Sequence, residues 1–288
     1  MFRSSAWRVV VALSALLIVL GVVPAAPAFA VSRGNHNPNN YLALGDSVPF
    51  GFSPLLAHPG VNPGVFVGYP ELGSDLFRPR LKLTNASCPG ETSTSLITGT
   101  RPDNGCQDYR EFIGALHVAY SGSQLDYAES YVAANPRTKM VTMMIGANDL
   151  FLLIDNCSGS PDPNCIADGL PALFATLATN LRTIYGGLRG AGFRGPFVAV
   201  TYYSLNYSDP VGTAVVTALD NTLAIVTREF NGKVADGFGA FQVAASPFGG
   251  DPCAAGLLIR LSVAPLQCDV HPTQLGAALL ANAVARAS

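Results

Sequence analysis

Apolar residues along this chain fall into two kinds of run. Some runs are short and continuous. Tyr41-Leu42-Ala43-Leu44 ends at Gly45, Met140 to Ile145 ends at Gly146, and Phe197 to Thr201 is similar. A brief apolar run closed by a turn residue fits a strand buried on both faces. Leu81-Lys82-Leu83-Thr84 alternates instead, and predicts a further strand. Between these segments apolar residues return at helical spacing. Leu170, Leu173, Phe174, Leu177, Leu181, Ile184 and Leu188 share one helical face, and Val211 to Phe230 repeats the pattern less cleanly. Ser123 to Asn135 opens with Ser-x-x-Asp (Ser123, Asp126), resembling a capping box, and stops before Pro136. A last helix is expected from Pro272 or Thr273 to the C-terminus. Strands of this kind alternating with helices predict an α/β fold, a three-layer α/β/α sandwich around a mainly parallel sheet.

The N-terminus breaks the pattern. Arg3 and Arg8 precede an apolar stretch from Val9 to Val23, followed by Pro24, Pro27 and then Ala28-Phe29-Ala30. That order of charge, apolar stretch and small-x-small site is that of a secretory leader, predicted to be cleaved near Ala30. The competing reading is an uncleaved anchor, since the uncharged stretch up to Ser32 is long enough to span a bilayer. The prolines and the Ala-Phe-Ala site favour cleavage. Residues 1–30 are therefore assigned as a signal peptide and 31–288 as one domain, secreted and soluble.

Composition narrows the function. Only 12% of residues are charged and 49% are hydrophobic, which excludes a disordered chain. Seventeen basic residues against 19 acidic ones leave no excess for phosphates, so a nucleic-acid partner is not expected. No obligatory protein partner is inferred either.

In parallel sheets ligands bind at the carboxyl ends of the strands. Gly45-Asp46-Ser47 follows the first predicted strand, and Gly146-Ala147-Asn148-Asp149 follows the one from Met140 to Ile145. Asp269-Val270-His271-Pro272 precedes the last helix. A serine, an amide and a histidine at such positions supply a nucleophile, an oxyanion donor and a base, the set that acyl transfer requires. Each also fits a plainer role: a turn at Gly45-Asp46-Ser47, a helix cap at Asn148-Asp149, a turn glycine at Gly90, a surface histidine at His271. No Gly-x-Ser-x-Gly elbow occurs in the chain.

On these motifs the chain resembles the GDSL family of esterases and lipases in its SGNH hydrolase form, especially secreted actinobacterial-type members, over nearly all of residues 40–280. Ser47 in Gly-Asp-Ser matches the block whose serine is the nucleophile. Gly90, within Asn85-Ala86-Ser87-Cys88-Pro89-Gly90-Glu91-Thr92, matches the block whose glycine N–H faces the oxyanion. Asn148 matches the block whose asparagine is another oxyanion donor, and His271 before Pro272 matches the general base. The resemblance implies the SGNH, flavodoxin-like sandwich and a secreted serine esterase or lipase that forms an acyl-enzyme on Ser47. The oxyanion would be held by Ser47, Gly90 and Asn148, with neither metal nor cofactor. A lipid or carbohydrate ester, or another small ester, would be the substrate. Alternatives are a carbohydrate O-deacetylase or phospholipase using the same site, or a secreted binding protein whose catalysis has decayed.

One departure stands out. The family's last block is usually Asp-x-x-His, but Cys268 stands three residues before His271 and Asp269 only two. The expectation is therefore a dyad oriented by a backbone carbonyl near Cys268, with Asp269 as the alternative third member. Asp46 and Asp149 are assigned to local hydrogen bonding.

Cys88, Cys106, Cys157, Cys165, Cys253 and Cys268 lie two by two in predicted loops, without a Cys-x-x-Cys pair. Six cysteines permit 15 pairings. Their clustering favours the sequential set, Cys88–Cys106, Cys157–Cys165 and Cys253–Cys268, also the habit of the family's secreted members. Phe50, Phe52, Phe66, Tyr69, Tyr109, Phe112 and Tyr120 fit either an acyl pocket or ordinary packing, with packing preferred.

Overall fold

A computed structural model describes residues 39–288 of the chain; the predicted leader, residues 1–30, lies outside them. In chain order the elements are β1 (Asn40–Gly45), α1 (Ser47–Phe50), α2 (Tyr69–Ser74), β2 (Lys82–Asn85), α3 (Ser93–Thr98) and a single turn, α4 (Cys106–Asp108). Then come α5 (Gln124–Ala134), β3 (Thr138–Met144), α6 (Ala147–Cys157), α7 (Cys165–Gly190), β4 (Phe197–Val200), α8 (Pro210–Glu229) and β5 (Lys233–Ala235). The chain closes with α9 (Gly237–Ala245), β6 (Leu258–Val263), β7 (Leu266–Pro272) and α10 (Gln274–Ala287).

β1 to β5 form a parallel sheet of order β2-β1-β3-β4-β5. The continuous apolar runs occupy its centre: every residue of β1 and β4 is buried. Both faces of those strands need cover, and helices supply it. α2, α9 and α10 pack together on one side, and α5, α7 and α8 on the other. The fold is the expected three-layer α/β/α sandwich.

Its strand order turns outward in both directions from the β1–β3 pair, so a crevice opens where the loops after those two strands diverge. Ser47 follows β1 and Asn148 follows β3.

Local signals read from the sequence hold at several helix ends. Ser123 caps α5 in a reciprocal box with Asp126, and Thr273 caps α10 through the Gly276 N–H. α7 begins at Cys165, a full turn before the apolar face noted at Leu170.

The larger difference is the segment before α10. A loop was expected there; instead β6 and β7 pair as an antiparallel hairpin outside the main sheet. Neither strand is sandwiched between layers, and most of their residues are exposed or half-buried. The hairpin therefore lacks the continuous apolar run that marks the central strands, although Ile259, Leu261 and Val263 alternate with Arg260 and Ser262.

Candidate active site

Ser47 is the first residue of α1, immediately beyond β1. Gly45 makes this sharp exit possible. Its φ is 128°, and a Cβ there would lie 2.0 Å from the carbonyl oxygen of Met144 at the end of β3. Asp46 then caps the short helix, its Oδ1 accepting from the Val48 N–H at 3.0 Å. Gln124 holds the same corner from α5, accepting from the Gly45 N–H at 2.7 Å and donating to the Gly45 carbonyl at 3.0 Å.

His271 reaches Ser47 from β7, with Nε2 2.8 Å from the serine Oγ. Nδ1 lies against Oδ1 of Asp269, which also accepts the His271 backbone N–H at 3.0 Å. The expectation of a backbone carbonyl on this ring is therefore corrected: the partner of Nδ1 is the Asp269 carboxylate. The reason is the hairpin. Where the hairpin register shifts, Asp269 to His271 stand opposite Ile259 alone, and in that bulge Asp269 Oδ1 reaches both the backbone N–H and Nδ1 of the residue two positions on. With Nδ1–H donating to Asp269, Nε2 is left to accept the Ser47 hydroxyl. Burial acts to raise the Asp269 carboxyl, but the hydrogen bonds and charge of His271 outweigh it and hold the group below the usual carboxylate range.

Two further predicted residues complete the cluster. Ser47, Gly90, Asn148 and His271 all line one cavity. Gly90 has φ 82°, and a Cβ there would meet the Asn104 carbonyl oxygen at 2.3 Å. Among the described residues, the backbone N–H groups of Ser47 and Gly90 donate to no protein acceptor. Asn148, on the first turn of α6, donates one Nδ2 hydrogen to the Glu91 carbonyl at 2.9 Å. Its other Nδ2 hydrogen has no partner there, so the site holds three unengaged donors.

The sequence reading missed Asn104. Its Nδ2 donates to Asn148 Oδ1 at 2.8 Å, and its N–H donates to the Gly90 carbonyl at the same distance. These contacts fix which way the Asn148 amide faces. The only local signal is a turn-like Asp103-Asn104-Gly105, which says nothing about a partner 44 residues away. The Cys88–Cys106 disulfide closes the loop from both ends, each cysteine two residues from Gly90 or Asn104.

Tyr202 and Tyr203, just beyond β4, were also missed. The Tyr202 hydroxyl donates to Asp46 Oδ2, and that of Tyr203 donates to the Val270 carbonyl at 2.6 Å. Burial pushes the Asp46 carboxyl up to about 6, against the Tyr202 and Val48 donors. Glu91 is pushed to about 7 and Asp220 to about 8 by the same cause. Asp220 Oδ1 accepts the Tyr202 N–H at 2.7 Å, while Oδ2 is buried without a partner among the described residues. Asp149 accepts from the N–H and hydroxyl of Ser93. Asp46 and Asp149 are thus occupied in local hydrogen bonds.

All six cysteines pair sequentially, as Cys88–Cys106, Cys157–Cys165 and Cys253–Cys268. Cys88 and Cys106 cluster with Glu91, but sulfurs bonded to one another offer no thiolate to a metal. The aromatic set divides. Phe52, Tyr109 and Phe112 line the cavity, whereas Phe50, Phe66 and Tyr69 are core residues.

No protein-family model matches the chain, and no curated protein is significantly similar to it. Solved structures share its fold. An extracellular lipase from Streptomyces rimosus is 15% identical, with a TM-score of 0.56 over 87% of this chain and 100% of its own. Phospholipase A1 from Streptomyces albidoflavus NA297 is 16% identical, with a TM-score of 0.54 and the same coverage. Axe2, an acetylxylan esterase from Geobacillus stearothermophilus, is 18% identical, with a TM-score of 0.50 over 86% of this chain and 93% of its own. At these identities the likeness establishes the fold, a three-layer sandwich shared with proteins named for ester hydrolysis.

Proposed function

We propose that the chain is a serine ester hydrolase of the GDSL/SGNH kind, working through Ser47, His271 and Asp269. One observation carries the reading: the 2.8 Å contact from Ser47 Oγ to His271 Nε2, with Asp269 on the far nitrogen. His271 takes the serine proton as Oγ attacks the ester carbonyl. The Ser47 and Gly90 N–H groups and the Asn148 amide receive the oxyanion, and Asp269 stabilises the imidazolium. Collapse expels the alcohol, which takes the proton from His271, and leaves the acyl group on Ser47. Water, deprotonated by His271, then releases the carboxylic acid and restores the serine. The structural neighbours, a lipase, a phospholipase and an acetylxylan esterase, support ester hydrolysis over other acyl transfers.

We also propose export, with the leader removed near Ala30. Three disulfides support an oxidising destination.

The test of the activity is labelling by a fluorophosphonate beside hydrolysis of p-nitrophenyl acetate. Wild type should label and hydrolyse, and folded Ser47→Ala should do neither. Hydrolysis at the wild-type rate by that variant removes Ser47 as nucleophile.

A further inference from the structure

The cavity that starts at Ser47 and His271 holds about 870 Å³, far more than an acetyl group fills. Two helices build its walls. Leu150, Phe151 and Ile154 come from one face of α6, and Val211 and Val215 stand one turn apart on α8. A helix in a water-soluble fold normally turns such a face to the core. Here Val211 is 73% exposed and Ile154 39%, and Phe112, elsewhere on the lining, is 61% exposed. Wetting so much contiguous apolar surface is unfavourable until an apolar ligand covers it.

Charge narrows the other half of the ligand. Besides His271, the charged groups on the lining are Asp46, Asp108 and Asp209; among the described residues no lysine or arginine lines the cavity. Asp46 is buried and bonded to Tyr202, which leaves Asp108 and Asp209, both exposed at the surface. Arg101 pairs with Asp108 from outside the lining. A phosphate-bearing headgroup entering the cavity meets the Asp209 carboxylate and an Arg101 already paired with Asp108, and no free cation among the described lining residues, a juxtaposition that disfavours it.

We infer that the substrate is a long-chain acyl ester of an uncharged alcohol, with the acyl chain lying along the α6–α8 wall. This inference rests on the ester hydrolase reading and names its substrate class. A short acetyl ester on a polysaccharide leaves the apolar wall wet, and an anionic phospholipid brings the wrong charge to Asp209, while Asp108 already holds Arg101.

The test uses the purified protein on two series. On p-nitrophenyl acetate, butyrate and octanoate, kcat/KM should climb at least tenfold from first to last, because each fully buried methylene is worth up to about fourfold. Monooctanoylglycerol should exceed 1-octanoylglycerol 3-phosphate, which carries the same acyl chain, by a further tenfold or more. Val211→Asp and, separately, Phe112→Asp should lower the octanoate-to-acetate ratio. Asp108→Lys should narrow the gap between the two glycerol esters. A flat or falling chain-length series, with Ser47-dependent acetate hydrolysis intact, overturns the acyl-chain half while leaving the hydrolase reading standing. Equal rates on the two glycerol esters overturn the headgroup half in the same way. Absence of Ser47-dependent hydrolysis on every ester sinks the hydrolase reading itself.

Discussion

Ser47 and His271 meet across a boundary between two unlike supports. On the Ser47 side, β1 is wholly buried in the central sheet, and the Gly90 loop is closed by Cys88 and Cys106, which are buried too. On the His271 side, the imidazole rides on a two-stranded hairpin outside that sheet, with Leu261 and Val263 exposed. There the main ties are the half-buried Cys253–Cys268 bridge, the Tyr203 bond to Val270 and a backbone bond from Thr273 to Leu257. Hydrophobic packing on every side fixes one partner, whereas a covalent tether, a few hydrogen bonds, the buried Leu258 and the Phe52 ring against His271 fix the other. Packing of the first kind is lost only with global unfolding; the second kind can open locally while the rest stays folded.

The comparison breaks or sharpens under four changes. The largest effect should come from Asp269→Asn, which leaves the hairpin intact but removes the charge that holds the imidazole: kcat should fall by roughly 10³–10⁴. Steady-state kinetics after circular dichroism checks it, and a loss of tenfold or less would return the site to a dyad. Next is Cys268→Ser. Losing a native disulfide costs roughly 2–5 kcal/mol in small secreted domains, and here the damage should concentrate in the hairpin. Activity should then disappear at a temperature below the main unfolding transition. If both vanish together, the base arm is no softer than the sheet.

Asn104→Ala comes third. It frees the Asn148 amide to turn without removing it, so kcat should drop about tenfold, less than the 10²–10³ expected for losing an oxyanion donor outright. Equal losses in Asn104→Ala and Asn148→Ala would mean that Asn104 does more than orient. The smallest effect concerns stability. Burial lifts Asp220 to about 8 and Glu91 to about 7, so between about pH 4 and pH 8 the folded chain keeps protons that the unfolded chain releases. Stability therefore falls as pH rises through that window. Asp220→Asn, neutral at every pH, should flatten the decline in Tm between pH 6 and pH 8; an unchanged slope rejects a protonated Asp220.

The same division explains what the sequence disclosed. Tyr41 to Leu44 and Met140 to Ile145 announced their strands because both faces are covered, and Ser47 and Asn148 became conspicuous by standing just past the ends of such strands. The resemblance to the GDSL pattern added Gly90 and His271. The hairpin stayed hidden because it has no continuous apolar run and its one alternating stretch, Ile259 to Val263, is short, and the partner of His271 Nδ1 was misjudged with it. Asp269 looked one position out of register only while its backbone was taken for a loop. Asn104, Tyr202 and Tyr203 were illegible for another reason: their partners lie 44, 156 and 67 residues away, and no local pattern encodes a hydrogen bond at that range.

Tyr202 and Tyr203 have one more consequence. Consecutive Cα atoms sit about 3.8 Å apart, yet one hydroxyl grips Asp46 beside Ser47 and the next grips the strand that carries His271. The dipeptide is a calliper whose jaws close on both halves of the gap between serine and histidine. Leu205 and Val211, a few residues further along, line the cleft instead. Lining positions such as Leu205 and Val211 can thus be recut for other ligands while the gauge that spaces serine and histidine stays at its setting.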